Sequence, residues 1–320
     1  MVLSHCALAI VLAATAALAS QSSLSTAPPA NGLELLQTEK LSEAREVFES
    51  LLATDPGNAD AQANEVLASE RIALDARSKG RMDDALRALL RAQDFAPHNP
   101  RLLFDLGLQE EEMHLFLDAD KSLTLAEQLN PADPNLLYGL ARVKMDEGQL
   151  APAEEKMKAY LKLRPTDASA HYGLGRIYQI GLQFEPARTE FLRSVELQPL
   201  QTESYFELGD LALKQDEFAD AIANFGKTLA RDPRHGGALE GTGEALFRQK
   251  QYDQAKDFLE RAIVAAPEYP PCHLYLGRTL ARLGRKEDAE RELAIAAKLA
   301  DEENQRSANH LQLIGPAVKP

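Results

Sequence analysis

Two columns of side chains recur every 34 residues and carry most of the chemistry this chain could offer. The first reads Phe104, Tyr138, Tyr172, Phe206, Glu240 and Leu274. The second, four residues further on, reads Leu108, Arg142, Arg176, Asp210, Glu244 and Arg278. Four residues is about one helical turn, so on a helix each pair shares a face. Guanidinium groups one repeat apart suit a carboxylate, which they could grip through two parallel N–H···O bonds. Tyrosine rings suit the flat side of an extended peptide or a sugar. This is recognition chemistry, and no catalytic residue is expected. The sequence shows no nucleophile motif, no glycine-rich phosphate loop and no cysteine pair.

Other groupings are weaker. Glu110-Glu111-Glu112-x-His114 lacks the second histidine, at i+4, that a helical zinc pair needs. His171 and His273 are read as partly buried imidazoles with their hydrogen bonds satisfied, rather than as metal ligands or switches. No metal and no cofactor is expected. The net charge is −14, with acidic and basic residues intermixed. That argues against nucleic acid as a partner, since phosphates need a basic face.

The columns sit on a repeating frame. An alanine recurs as Ala44, Ala85, Ala119, Ala153, Ala187, Ala221, Ala255 and Ala289. A small residue recurs as Gly32, Ala73, Gly107, Ala141, Gly175, Gly209, Gly243 and Gly277. A large apolar one recurs as Phe48, Leu89, Leu123, Met157, Phe191, Phe225, Leu259 and Leu293, and a proline closes units from Pro56 to Pro267. Within Ala168 to Gln201 these markers fall at helical spacing in two runs, which reads as two amphipathic helices joined by a tight turn. The small residues, Gly175 facing Ala187 and Gly209 facing Ala221, are expected to let the two helices approach, with Leu174 and Phe191 large enough to fill the space between them. A lone hairpin of this kind cannot bury its apolar face, so copies must stack on either side.

The period and the order of these markers resemble the tetratricopeptide repeat family over roughly Ser25 to Asp301. The resemblance implies an all-α chain: a right-handed α-solenoid of about eight antiparallel helix-turn-helix repeats. Their approximate bounds are 25–58, 66–99, 100–133, 134–167, 168–201, 202–235, 236–269 and 270–301. In the family the first helix of each unit lines a concave surface. The implied partner groove is Phe104, Leu108, Tyr138, Arg142, Tyr172, Arg176, Phe206, Asp210, Glu244 and Arg278. An aromatic in the Tyr172 column often packs on a neighbouring unit in the family, and the arginines can pair with carboxylates on their own face. The family's clamp for chaperone C-termini uses Lys and Asn in these columns. This chain lacks that set, so that activity does not carry over.

The ends read differently. Residues 1–19 carry an apolar run from Ala7 to Leu18, and Ala17-Leu18-Ala19 fits a small-x-small cleavage site. The expectation is a secretory signal peptide cut before Ser20, with an uncleaved N-terminal membrane anchor as the rival. Residues 20–30 are rich in Ser, Thr and Pro and read as a flexible linker. Seven extra residues between the first two units fall in Ala59 to Glu65, which predicts a first helix of about Ala59 to Lys79 in the second unit. Asp301 replaces the closing proline, so the last helix is expected to run on as a cap over 302–313, before a tail at 314–320. After signal cleavage no integral membrane span is expected. The function that follows is an exported, periplasmic or extracellular scaffold, binding a protein or peptide in its groove. The alternative is an accessory subunit of a cell-envelope assembly such as a pilus or secretion apparatus.

Overall fold

The computed structural model describes residues 30–131 and 133–313. The signal peptide, nearly all of the linker and the tail lie outside the described residues. The described chain is all-helical, with sixteen helices and no strand. It forms two compact units, meeting in sequence between residues 132 and 133.

In the first unit, α1 (Ala30–Gln37) pairs with α2 (Leu41–Thr54), α3 (Ala59–Ser78) with α4 (Met82–Phe95), and α5 (Pro100–Glu112) with α6 (Phe116–Leu129). In the second, the hairpins are α7 (Pro134–Asp146) with α8 (Leu150–Leu163), α9 (Ala168–Ile180) with α10 (Phe184–Leu197), and α11 (Thr202–Lys214) with α12 (Phe218–Leu229). They continue as α13 (Gly236–Arg248) with α14 (Tyr252–Ala265), and α15 (Pro270–Arg282) with α16 (Lys286–Leu313). Within each unit the second helix of one hairpin also packs on the first helix of the next, so α10 touches both α9 and α11. The helix α3 spans 20 residues and α16 spans 28, against 13 or 14 for most others.

Local chemistry sets these bounds. Asn58, Asn99, Asp133 and Asp167 each precede a first helix and accept a hydrogen bond from a backbone N–H of its first turn. His235 does the same with its imidazole, Ala238 N donating to Nδ1 at 3.1 Å. The turn inside each hairpin holds one residue in the left-handed region: Glu39, Gly80, His114, Gly148, Leu182, Asp216, Lys250 and Gly284. His114 is therefore a turn residue whose ring stacks edge-on to Phe116, 5.6 Å away.

The alanine column is buried from Ala44 to Ala289, and Phe48, Leu89, Leu123, Phe191, Phe225 and Leu259 are among the most buried large side chains. The small-residue column does bring the paired helices together: an added Cβ would stand 3.3 Å from the Ala119 carbonyl oxygen at Gly107 and 3.1 Å from that of Ala289 at Gly277. The space beside Gly209 is filled by the Phe225 ring, 2.6 Å from where a Cβ would stand, and the space beside Gly175 by Phe191 at 2.6 Å. These glycines exist to seat the large residue of the partner helix. Phe225 is held from the other side by Gly241 of α13, at 2.5 Å from an added Cβ, so one ring joins two consecutive hairpins. A single core phenylalanine of this size contributes about 1.5–3 kcal/mol through burial.

Candidate functional site

In the second unit the first helices α7, α9, α11, α13 and α15 carry eight of the ten expected groove residues. The aromatic column is anchored within its own hairpins. The Tyr138 ring lies 5.2 Å from Tyr160, Tyr172 lies 5.8 Å from Phe191, and Phe206 lies 5.8 Å from Phe225. Each ring thus rests on the second helix of its own repeat, and Phe206 also meets His235, 4.7 Å away, at the start of α13. Their half-buried edges are what remains for a partner.

Beside these rings runs a polar network linking α9 to α11. Arg176 Nη1 donates to Glu207 Oε1 at 3.1 Å and to the Tyr172 hydroxyl at 3.2 Å. Gln179 Nε2 donates to Glu207 Oε2 at 2.8 Å and to Asp210 Oδ2 at 3.2 Å. Lys214 Nζ closes the chain on Asp210 Oδ2 at 2.5 Å. Glu207 is buried, and Arg176 keeps 37% of its side chain exposed. Burial, and then the Glu207 charge, push the Tyr172 hydroxyl above the usual phenol range. Arg142 occupies the equivalent place on α7 and is half-buried.

Further along, Glu244 on α13 accepts from Arg248 Nη2 at 2.7 Å and hydrogen-bonds the Tyr275 hydroxyl of α15. Arg278 lies over the Tyr275 ring, 5.5 Å from its centre. Glu240, one turn before Glu244, is buried. Its carboxyl is pushed up to about 8 by burial, with the Glu244 and Asp210 charges adding to it.

Phe104 and Leu108 lie on α5 of the first unit, half-buried. Their neighbour Asp105 faces Glu70, the α3 residue in the aromatic column's position, and the two carboxyls hydrogen-bond each other. Burial, then the Asp105 charge, raise Glu70 to about 7, while Arg101 Nη2 holds Glu70 Oε2 at 2.8 Å. Burial also raises Asp105, against the pull of Arg77.

The repeat motif is matched by a family model described as tetratricopeptide repeat over residues 30–100, 138–201 and 206–270. A second model of the same description matches 246–309. The chain belongs to the tetratricopeptide repeat family. No curated protein sequence matches it. Among solved structures it resembles a tetratricopeptide repeat protein from Parabacteroides merdae, at TM-score 0.59 and 18% identity, over 73% of this chain and 93% of that one. The C-terminal part of a TPR repeat-containing protein from Cytophaga hutchinsonii gives a TM-score of 0.57 at 16% identity, over 72% and 94%. Pseudomonas aeruginosa pilF gives 0.55 at 18%, over 60% and 88%. At these identities the likeness is one of fold.

Within this tetratricopeptide frame the sequence reading missed Glu207. It stands in a column that reads Asp105, Gly139, Gly173, Glu207, Gly241 and Tyr275. Three members are glycine. The other three reach back to the preceding first helix: Asp105 to Glu70, Glu207 to Arg176, and Tyr275 to Glu244. A polar side chain in a glycine column was the signal. Both His171 and His273 have their ring nitrogens satisfied. His171 Nδ1 lies 2.6 Å from Glu190 Oε2 and its Nε2 3.1 Å from the Pro165 carbonyl. His273 repeats the pattern with Glu292 at 2.7 Å and Pro267 at 3.0 Å. Cys272 is buried and its thiol is pushed up to about 12, chiefly by burial, so it stays protonated and unreactive at neutral pH. Among the described residues no group of side chains is arranged to hold a metal, and no helix is long and apolar enough to cross a membrane.

Proposed function

We propose that this chain is a non-enzymatic, exported scaffold that binds an extended segment of a protein or peptide along the first helices between Tyr138 and Arg278. The observation that carries this reading is the set of bonds around Arg176. Its guanidinium is fixed between Tyr172 and Glu207 through one nitrogen, yet more than a third of the side chain faces solvent. A charged fork held still in this way loses little freedom when a ligand arrives, which is how preorganised sites gain affinity. An acidic or C-terminal segment fits the remaining N–H donors, and the aromatic edges of Tyr138, Tyr172 and Phe206 supply contact area. Export rests on the apolar run and cleavage site of residues 1–19. The alternative role, a subunit of an envelope assembly, differs in stoichiometry: it requires a stable complex of fixed composition.

The test is affinity for the partner recovered by crosslinking in the source cell. Arg142→Ala with Arg176→Ala should weaken binding by on the order of 2–5 kcal/mol, mostly through a faster off-rate. Arg193→Ala, on the α10 surface and paired with Glu196 of its own helix, should leave binding unchanged. Equal binding by the double variant and the parent would remove the arginines from the interface.

A further inference from the structure

Glu240 is 8% exposed and, among the described residues, neither a hydrogen-bond donor nor a cation is paired with it. This sets it apart from its neighbours. Glu244 is held by Arg248 and Tyr275, and Asp210 by Lys214 and Gln179. The Glu240 carboxyl keeps only slight contact with solvent and, among the described residues, has no donor beside it, so its charged form is poorly solvated. Here the three carboxyls belong to two adjoining first helices, α11 and α13, and Glu240 lies within the electrostatic reach of both others. Tyr269 and Cys272 of the next hairpin feel the Glu240 charge as well, so α11, α13 and α15 converge on it.

The surroundings are graded. In Glu240's own column the preceding repeat presents the Phe206 ring and the following one Leu274, both half-buried. Tyr269, 45% exposed, adds an aromatic face. Negative charge beside partly exposed apolar and aromatic side chains describes the complement of a long cationic side chain. Its methylenes cover the rings while its head reaches the carboxylates.

We propose that Glu240, backed by Asp210 and Glu244, receives a lysine or arginine side chain of the bound segment. This deepens the scaffold reading and rests on it: the segment that lies on the first helices would carry a cation where it crosses α13. The arriving charge supplies the missing partner. It is met by the carboxylate form of Glu240, so affinity should rise with pH until the free site has lost its proton. The groups that share this field are Asp210, Glu244, Tyr269 and Cys272, with Lys214 and Arg248 as the paired cations.

A phage-displayed library of random dodecamers, selected on the whole protein and in parallel on Glu240→Leu and Glu240→Gln, tests it. Both variants remove an unpaired buried carboxyl and should keep the parent's helical signal and melt no lower. The parent should enrich peptides bearing lysine or arginine. One such peptide, made synthetically, should lose at least tenfold in affinity when its cation is changed to methionine, and at least tenfold on either variant. Two results would overturn the proposal while sparing the scaffold: enrichment of peptides with no cation, or cationic peptides that bind the variants as well as the parent. If neither parent nor variants enrich any peptide, the reading of the first-helix face as a peptide site fails, and this proposal with it.

Discussion

Arg176 and Glu207, 31 residues apart in sequence, meet at 3.1 Å across the boundary between two consecutive repeats. The carboxylate is buried and its other oxygen is bound by Gln179. The pair therefore belongs both to the surface offered to a partner and to the joint between α9 and α11. Removing Arg176 leaves Glu207 short of a charged donor in a dry place, which should cost about 1–3 kcal/mol of stability. Arg176→Lys should recover only part of this, because an ammonium cannot serve Tyr172 and Glu207 with one planar fork. A double-mutant cycle with Glu207→Ala, read by denaturant unfolding, should give a coupling on the order of 0.5–3 kcal/mol. Additive effects would show that the contact is not formed in solution.

The Phe225 joint makes a different forecast. Gly209→Leu places a branched side chain where the Phe225 ring already stands, and should cost roughly 1–3 kcal/mol by overpacking. Adding Phe225→Ala should return part of that loss instead of summing with it. Because repeats are stabilised by their neighbours, hydrogen exchange should quicken first in α11 to α13 and later in α15 and α16. Uniform quickening along the second unit would contradict this.

Leu182 sits in the left-handed region at φ 56° with 74% of its surface exposed, at the turn position where three other repeats use glycine. Leu182→Gly should relieve that strain and raise stability by about 0.5–1 kcal/mol, the gain reduced by glycine's greater freedom when unfolded. Leu182→Val should lower it. A lower melting temperature for the glycine variant would refute the argument.

Glu240 ties stability to pH. Its folded value, about 8, lies above the 4.5 of an ordinary glutamate, so the native state keeps a proton that the unfolded chain has released. Its contribution is therefore greatest below about 4.5, declines as pH rises towards 8, and is flat above that. Glu240→Gln should be more stable than the parent at pH 8 by a few kcal/mol, and nearly equal to it at pH 4. Chemical unfolding of both proteins at the two values measures the difference, and an advantage that did not change with pH would place the Glu240 carboxyl in water.

The helices were legible because their markers recur at 34 residues, and each marker does one packing job that tolerates few residue types. Ala187 and Phe191 announce a second helix whatever lies on its surface. Which residues touch was less legible. Phe191 is expected to fill the space within its own hairpin, but the packing of Phe225 against Gly241 of the next repeat cannot be read from the spacing of one unit. The site was legible as columns and not as bonds. Tyr172 and Arg176 were placed on one face by periodicity alone. Their partner Glu207 lies on the next repeat, and no spacing rule within a single helix finds it. Glu240 was visible as an odd member of an aromatic column, while its lack of a partner emerges only when the neighbouring side chains are in place.

The central claim is that partners lie along the first helices of the second unit. A photo-crosslinking amino acid at Asp210 or at Arg278, in the protein expressed in its source cell, addresses that claim directly. The comparison position is Leu192 on α10, half exposed and away from the first-helix columns. Irradiation should join a discrete partner to the protein at 210 and 278 and give no adduct at 192. A partner captured at 192 and missed at both other positions would contradict the account.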